Sequence, residues 1–471
     1  MDSVFFSKIS ALSRRLNQVE APQLSFLALR NFIFNRQLGS LRKRGGTSLN
    51  SVTGDIWALE GYNKDTGSGK VPVANVPIRH RRDGATSYIE KYDWSADSWS
   101  AITQGAKTSF AVDNVGSATQ IDDLFALFCG RPAMIKDITS GDIERLGGPA
   151  PTGAASVALG GAGALTGTYR WVYTFYDSTS GWESSPSPIS AALTPSAQDV
   201  DLTSLPTTAD RENVTDKRIY RTLLTNEEPF FLSGSVTLAT TSYTDNVTDA
   251  NLTTQAPLDG DHDEAPDGVY IGATWANRVF LAKDNALWHS LEYDGNLRRL
   301  EYFSTERRDV FENRITGLAP SPRHGGLMIF KPPGFGIDLL RGQTEDTFYI
   351  EPFLPGEGTN WHKSITVRDN LLTYWGQARP RLAVGVETGS RMEMKEDFDA
   401  DIDLLLRDYS TGDYSQDMYV WSYWDEINRQ FVYGFGAVDV TGLLWEEEGT
   451  GLAVQWEEEG TGETVPWEEL P

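Results

Sequence analysis

From residue 38 onward the sequence is built of short apolar or aromatic runs, as at 55–59, 87–92 and 109–112, each cut off by Gly, Asn or Asp. A run that short cannot complete the three turns of an average helix, but it fills a strand. The chain is therefore predicted to be mainly β, in keeping with 44 Gly and 22 Pro among its 471 residues. Its 39% apolar and 11% aromatic residues exceed what a disordered chain carries and suffice for real cores. The length suggests about three domains of roughly 150 residues, or two large all-β units.

Five segments are expected. Residues 1–37 form an N-terminal arm that is partly helical, because Phe5, Ile9, Leu12 and Leu16 fall on one stripe at helical spacing. Residues 38–150 are strand-rich. Residues 151–265 begin with a Gly/Ala/Pro-rich bridge, 147–167, which lacks bulky side chains and reads as a linker. Strand candidates follow at 169–176, 189–193, 200–202, 217–222, 230–235 and 241–244, a density that suits an immunoglobulin- or fibronectin-like β-sandwich. An acidic Gly/Pro stretch at 257–268 reads as a second linker. Over 266–440 the segments 275–290, 317–329, 365–375 and 418–435 each pair two apolar runs about a polar turn. Blade hairpins of a β-propeller read this way. The blocks before and after the sandwich share this texture, so both are expected to supply blades to one propeller. In the tail, 441–471, Trp445, Trp456 and Trp467 recur every 11 residues among nine Glu with no Lys or Arg. That repeat reads either as a solvated acidic tail or as a short β-ladder.

The net charge is −25, yet residues 1–91 hold 14 Lys or Arg against 7 Asp or Glu. Two basic clusters stand out: Arg42-Lys43-Arg44, and Arg79, Arg81 and Arg82 around His80. Either they hold acidic neighbours on a charged face or they contact phosphate or an acidic partner. No catalytic, cofactor or metal site is expected. The five His residues (80, 262, 289, 324, 362) are not in zinc-hydrolase spacing, and no GxSxG occurs. Gly67-Ser-Gly-Lys70 lacks the first Gly and the Ser/Thr of a phosphate loop. Asp259, Asp261 and Asp263 open like a calcium loop, but Glu264 takes the place of the turn Gly and Tyr270 that of the bidentate Glu. The single Cys129 sits in an apolar run and is expected in the core. No stretch approaches the ~18 apolar residues of a membrane span, and folding in a cytoplasm is expected.

Residues 24–50 (LSFLALRNFIFNRQLGSLRKRGGTSLN) carry Asn31, Phe34, Gly39, Leu41, Arg42, Lys43, Arg44, Gly46 and Thr47 in an order that resembles the opening of tail hub (nozzle) proteins of short-tailed bacteriophages. Gly45 departs from the Pro common there. The stretches 167–190, 217–222 (KRIYRT) and 242–246 (SYTDN) are similar to sandwich modules inside virion propellers. The likeness spans 24 to about 440 and leaves the Trp repeat unassigned. It implies a virion protein of the tail, made in the host cytoplasm. Its copies would form a ring, commonly a hexamer, below the portal and adaptor, which continues or closes the DNA exit channel and supports fibres or a needle. Contact with the DNA would be transient and non-specific. An acidic channel wall would let a duplex slide, since phosphates bind tightly only where Lys and Arg neutralise them. The competing expectation is an adhesion or carbohydrate-binding propeller on a virion or cell surface.

Overall fold

Three strands decide the architecture: Leu124–Phe128, the first five residues of Arg278–Lys283, and Gly326–Phe330 are buried at every position. Successive side chains of a strand point to opposite faces of its sheet. A strand buried throughout therefore needs a packed neighbour on both sides.

The computed structural model describes residues 72–376 and 380–385 apart from 84–85, 94–95, 97, 107–115, 136–141, 225–227, 322–323 and 369–370, with the backbone alone of some strands elsewhere. It is mainly β. Five four-stranded antiparallel sheets run in simple meander order. The first holds Asp55–Asp65, Pro72–Asp83, Thr86–Asp93 and Ser98–Ala101; the second Ser117–Ile121, Leu124–Phe128, Ala133–Ile135 and Glu144–Arg145. The third holds Ile271–Trp275, Arg278–Lys283, Ala286–His289 and Arg308–Val310; the fourth Gly317–Ser321, Gly326–Phe330, Ile337–Arg341 and Tyr349–Leu354. The fifth holds Thr366–Arg368, Leu371–Trp375, Pro380–Gly385 and Met392–Met394, and a hairpin of Met418–Asp425 with Gln430–Ala437 follows it.

These sheets pack face to face in chain order. Phe125 and Leu127 meet Ile78 and Ile89 of the first sheet, while Leu124, Ala126 and Phe128 join a core with Val279 and Leu281 of the third. From the third sheet's other face, Phe280 and Ala282 pack with Leu327, Ile329 and Leu340 of the fourth. Met328, Phe330 and Leu339 then share a core with Leu372, Tyr374 and Ala383 of the fifth. The period of two is thus used to its full extent, alternate residues of one strand serving two different cores.

Between the second and third sheets in sequence lies an insert of two three-stranded antiparallel sheets. Ser156–Thr166, Ser196–Thr203 and Tyr243–Asp245 make one; Trp171–Tyr176, Asp216–Arg221 and Phe231–Thr237 make the other. They share a core of Leu165, Trp171, Tyr173, Val200, Leu202 and Ile219. The strand expectations at 169–176, 200–202, 217–222, 230–235 and 241–244 fall on these elements, whereas 189–193 contributes only an isolated bridge from Leu193 to Tyr169.

Three sequence expectations need correction. The bridge 147–167 is not a linker along its length, because Ser156–Thr166 is an edge strand paired with Ser196–Thr203. Backbone bonds hold it where side chains cannot, and a Cβ at Gly163 would collide with the backbone of Asp199. The stretch 257–268 lacks regular strands but is tied down: Asp261 accepts from Arg307 at 2.6 Å, Asp263 bridges Phe303, and Ala265 lies in the core between the second and third sheets. The N-terminal helical stripe lies outside the described residues except at Leu12, whose backbone belongs to a strand, Ala11–Leu12, paired in parallel with Ser25–Phe26. Among the described residues the helical elements are short 3₁₀ turns, such as Leu297–Glu301.

Truncating a residue that serves one of these shared cores leaves a cavity. Leu281→Ala, at a position with no exposure, is expected to cost about 2–5 kcal/mol. Leu159→Ala, at a position 47% exposed, is expected to stay within about 0.5 kcal/mol. Denaturant midpoints of the two variants check the contrast.

Candidate functional site

Where the insert meets the third sheet, polar side chains converge around a cleft of about 560 Å³. The insert contributes Tyr176, Gly181, Glu183 and Arg218, and the opposite wall holds His262, Leu291, Asp294, Asn296, Arg298, Arg299 and Tyr302. Glu183 is the hub. Its carboxylate accepts from Thr174 Oγ1 at 2.6 Å, from Arg218 at 2.8 Å and from the Tyr220 hydroxyl, and its backbone N–H donates to Tyr302 Oη at 3.0 Å. Burial, then the Glu183 charge, raises the Tyr220 hydroxyl far above its usual range. The Tyr302 hydroxyl is raised as well, chiefly by burial.

His262 stacks on Tyr302 with ring centroids 3.8 Å apart and planes within 2°, and its Nδ1 lies 3.0 Å from the Glu183 carbonyl. Burial lowers its pKa. Arg218 lies over the Tyr176 ring at 3.5 Å. Arg298 donates to the Gly181 carbonyl at 2.8 Å, and Gly181 has φ 72° in the left-handed region where a side chain would strain the chain. A Cβ there would also strike the Arg298 guanidinium. Arg299 donates to the Glu292 carbonyl at 2.7 Å and pairs with Asp294 at 3.4 Å. Three guanidinium groups therefore face two carboxylates, Glu183 and Asp294, around one opening.

Beneath the cleft the junction is locked by buried charge. Arg211 and Glu301, with side chains 1% and 0% exposed, pair at 2.8 Å, and Arg211 lies 4.2 Å over the Trp182 ring. Desolvation lowers the Arg211 pKa, but the carboxylates of Glu301, Glu144 and Asp177 together outweigh it and the net shift is upward. On the second sheet's side the pairs are more open to solvent: Arg145 donates to Asp210 at 2.6 Å and pairs with Glu264, while Arg131 pairs with Asp267 at 3.0 Å. Inside the insert, Arg221 and the Trp171 indole both reach Asp245, at 3.3 and 2.8 Å. The Lys217 ammonium donates to the carbonyls of Pro206, Leu238 and Thr240 at 2.5, 2.9 and 2.5 Å, and burial lowers its pKa to about 8. Lys217 and Arg221 of KRIYRT and Asp245 of SYTDN are thus interior fastenings, whereas Arg218 lies on the cleft wall. Sequence reasoning passed over Arg211, Glu301 and Glu183 because nothing local distinguishes a buried arginine or glutamate from a solvated one.

The basic clusters have different fates. Arg79 is 3% exposed; it pairs with Glu90 at 2.5 Å and covers Trp99 at 4.1 Å. Arg81 pairs with the same carboxylate at 3.1 Å and lies 4.5 Å over Tyr88. Of the two readings of this cluster, these residues follow the one in which arginines hold an acidic neighbour. The backbone of Arg82 lies in the same strand, opposite Asp55 and Ser87. Arg42 and Lys43 sit in the strand Ser40–Lys43, paired with Phe32–Asn35, and Arg44 lies outside the described residues. Trp456 opens a two-residue strand paired with Thr464–Val465, and Trp445 and Trp467 lie outside the described residues.

Cys129 is buried, as expected. Among the described residues no group of three or more His, Cys, Asp or Glu is placed to hold a metal ion. Ser321 Oγ lies 2.7 Å from His324 Nδ1, within the reach a nucleophile and its base require. Both residues are buried, at 0% and 2% exposure, so a substrate cannot meet them in this conformation. No described helix is long and apolar enough to cross a membrane.

No protein-family model matches the chain, and no curated protein does. Among solved structures it is similar to puromycin hydrolase at 9% identity and a TM-score of 0.19, over 68% of this chain and 51% of that one. A mutant of puromycin hydrolase complexed with PGG gives 8% identity and a TM-score of 0.18, over 76% and 56%. The chain spans about half the length of each.

The buried charges have consequences that unfolding measures. Glu301→Gln leaves the buried Arg211 charge with only the longer Asp177 contact at 3.7 Å and is expected to cost about 3–5 kcal/mol, whereas Arg211→Met with Glu301→Leu recovers much of that loss; denaturant unfolding of the three chains checks this. Burial pushes His80 and His289 from 6.5 down to about 4. The unfolded chain takes up those protons first, so stability falls as pH drops from 6.5 toward 4 and the decline from this source ends below 4. Melting temperatures across that window should fall less steeply in His289→Gln than in the parent.

Proposed function

We propose that the chain is a structural subunit of a bacteriophage tail. In this reading the five meanders and the following hairpin are blades of a β-propeller, and the two-sheet insert is an immunoglobulin- or fibronectin-like sandwich between the second and third blades. Copies associate into a ring, commonly a hexamer, below the portal and adaptor. That ring continues or closes the DNA exit channel and anchors fibre or needle proteins.

The observation that carries this reading is the core shared by the second and third sheets across the intervening insert. A stack that continues across an insertion of this size is expected of blades belonging to one disc. The resemblance at 24–50 supplies the tail context. Charge supports the role of a conduit wall. Arg79, Arg145, Arg211, Arg221 and Arg307 are each nearly buried and paired with acids. Ion pairs cancel one for one, so the surplus behind the net charge of −25 is left to the remaining acids, and a surface that repels phosphate does not hold DNA. The effect acts within about 8 Å of the wall at physiological salt.

Electron microscopy of the purified chain tests the proposal. A closed ring with a continuous central pore, lost when Arg42, Lys43 and Arg44 are all changed to Glu, is the expected result. A population of single copies at every protein concentration would overturn it.

A further inference from the structure

The C-terminal repeat, WEEEGTG, WEEEGTG and WEEL, has no part in the conduit reading. Its chemistry is distinctive: a Trp followed by two or three Glu, three times over, with no cation between 441 and 471. In a chain of net charge −25 such a segment is repelled by most of the surface. The cleft at the insert junction differs. Arg218, Arg298 and Arg299 line it against Glu183 and Asp294, a local excess of one positive charge, and its 560 Å³ is large enough for an indole with a flanking carboxylate.

We propose that this cleft is the docking site of the Trp-Glu-Glu triplets of the chain's own C-terminal repeat. The indole ring stacks on a guanidinium face, as Tyr176 already does with Arg218 at 3.5 Å. The adjoining glutamates accept from the donors of Arg298 and Arg299 that the Gly181 and Glu292 carbonyls and the Asp294 carboxylate leave over. Reach is sufficient. Even with Trp456–Glu457 paired to Thr464–Val465, the fifteen residues 441–455 ahead of that strand can span up to roughly 50 Å, against a radius of gyration of about 23 Å for a folded chain of this length. Three equivalent triplets raise the local concentration of the binding group, so a weak single contact still holds the tail for much of the time. Gly181 sets the arrangement, since its carbonyl positions Arg298 and its missing Cβ leaves the guanidinium room. The inference does not depend on ring assembly.

Cleavage of the full-length chain by a Glu-specific protease, compared with a free peptide of residues 441–471, tests it. At 0.1 M salt the tail is expected to be cut about tenfold more slowly than the free peptide, a factor within reach of two or three exposed ion pairs. At 1 M salt, where screening acts within about 3 Å, the protection should vanish. Arg298→Glu with Arg299→Glu should abolish it at low salt in a chain that still unfolds in one cooperative transition. If that variant fails to fold, Trp456→Ala with Trp467→Ala, which leaves the cleft intact, must abolish protection instead. Equal cleavage of tail and free peptide at both salts overturns the proposal, as does protection that survives the Trp substitutions.

Discussion

Burial of single strands on both faces is the constraint from which the rest of the structure follows. A half-buried antiparallel sheet can end a domain, because its polar face meets water. Leu124–Phe128, Arg278–Lys283 and Gly326–Phe330 leave no such face, and each forces its sheet to lie between two others. At about 25 cal/mol per Å² of apolar surface, each large side chain buried this way contributes roughly 1.5–3 kcal/mol. The stacking order is therefore fixed by side-chain alternation and not by the connecting loops. An insert of two sheets can interrupt the sequence between the second and third members without separating them.

The insert is fastened by polar contacts as well as apolar ones. Its own core is apolar, and an apolar cluster of Phe175, Trp182, Ala209 and Tyr302 spans its junction with the third sheet; Arg211–Glu301 and the Tyr302–Glu183 contact add buried polar fastenings there. Buried pairs of this sort add little net stability and punish any geometry that separates the partners. They set the orientation of the insert where an apolar contact alone would tolerate sliding. The same concentration of charge frames the cleft, so the polar opening and the rigid seat beneath it are parts of one arrangement.

Much of the β architecture was legible. The hairpins read at 275–290, 317–329 and 365–375 fall within the third, fourth and fifth sheets, because their apolar runs are short and their turns carry Asn, Asp or Gly. The strand Ser156–Thr166 was missed because it has no apolar alternation to detect; Gly163 packs directly against the Gln198 and Asp199 backbone and Gly160 against the Asp199 carboxylate. Of the helical stripe only Leu12 has a described backbone, and there strand pairing with Phe26 outweighs the periodicity; Phe5, Ile9 and Leu16 lie outside the described residues. Away from the cleft, Arg79 and Arg81 of the first sheet were noticed for their charge, yet their shared partner Glu90 lies on the neighbouring strand. Glu183, Arg211 and Glu301 gave no signal at all, because burial of a charged side chain is decided by contacts between residues as much as 119 positions apart.

Everything above the level of single sheets rests on contact between the second and third, and size compensation at one position probes that contact directly. Gly272 lies against the Phe128 ring, and a Cβ at Gly272 would overlap that ring. Gly272→Ala is expected to destabilise the chain by about 1–3 kcal/mol through overpacking. In a Phe128→Ala background the same change should be neutral or stabilising, a coupling expected only of residues in contact. An identical cost of Gly272→Ala in both backgrounds would contradict the account.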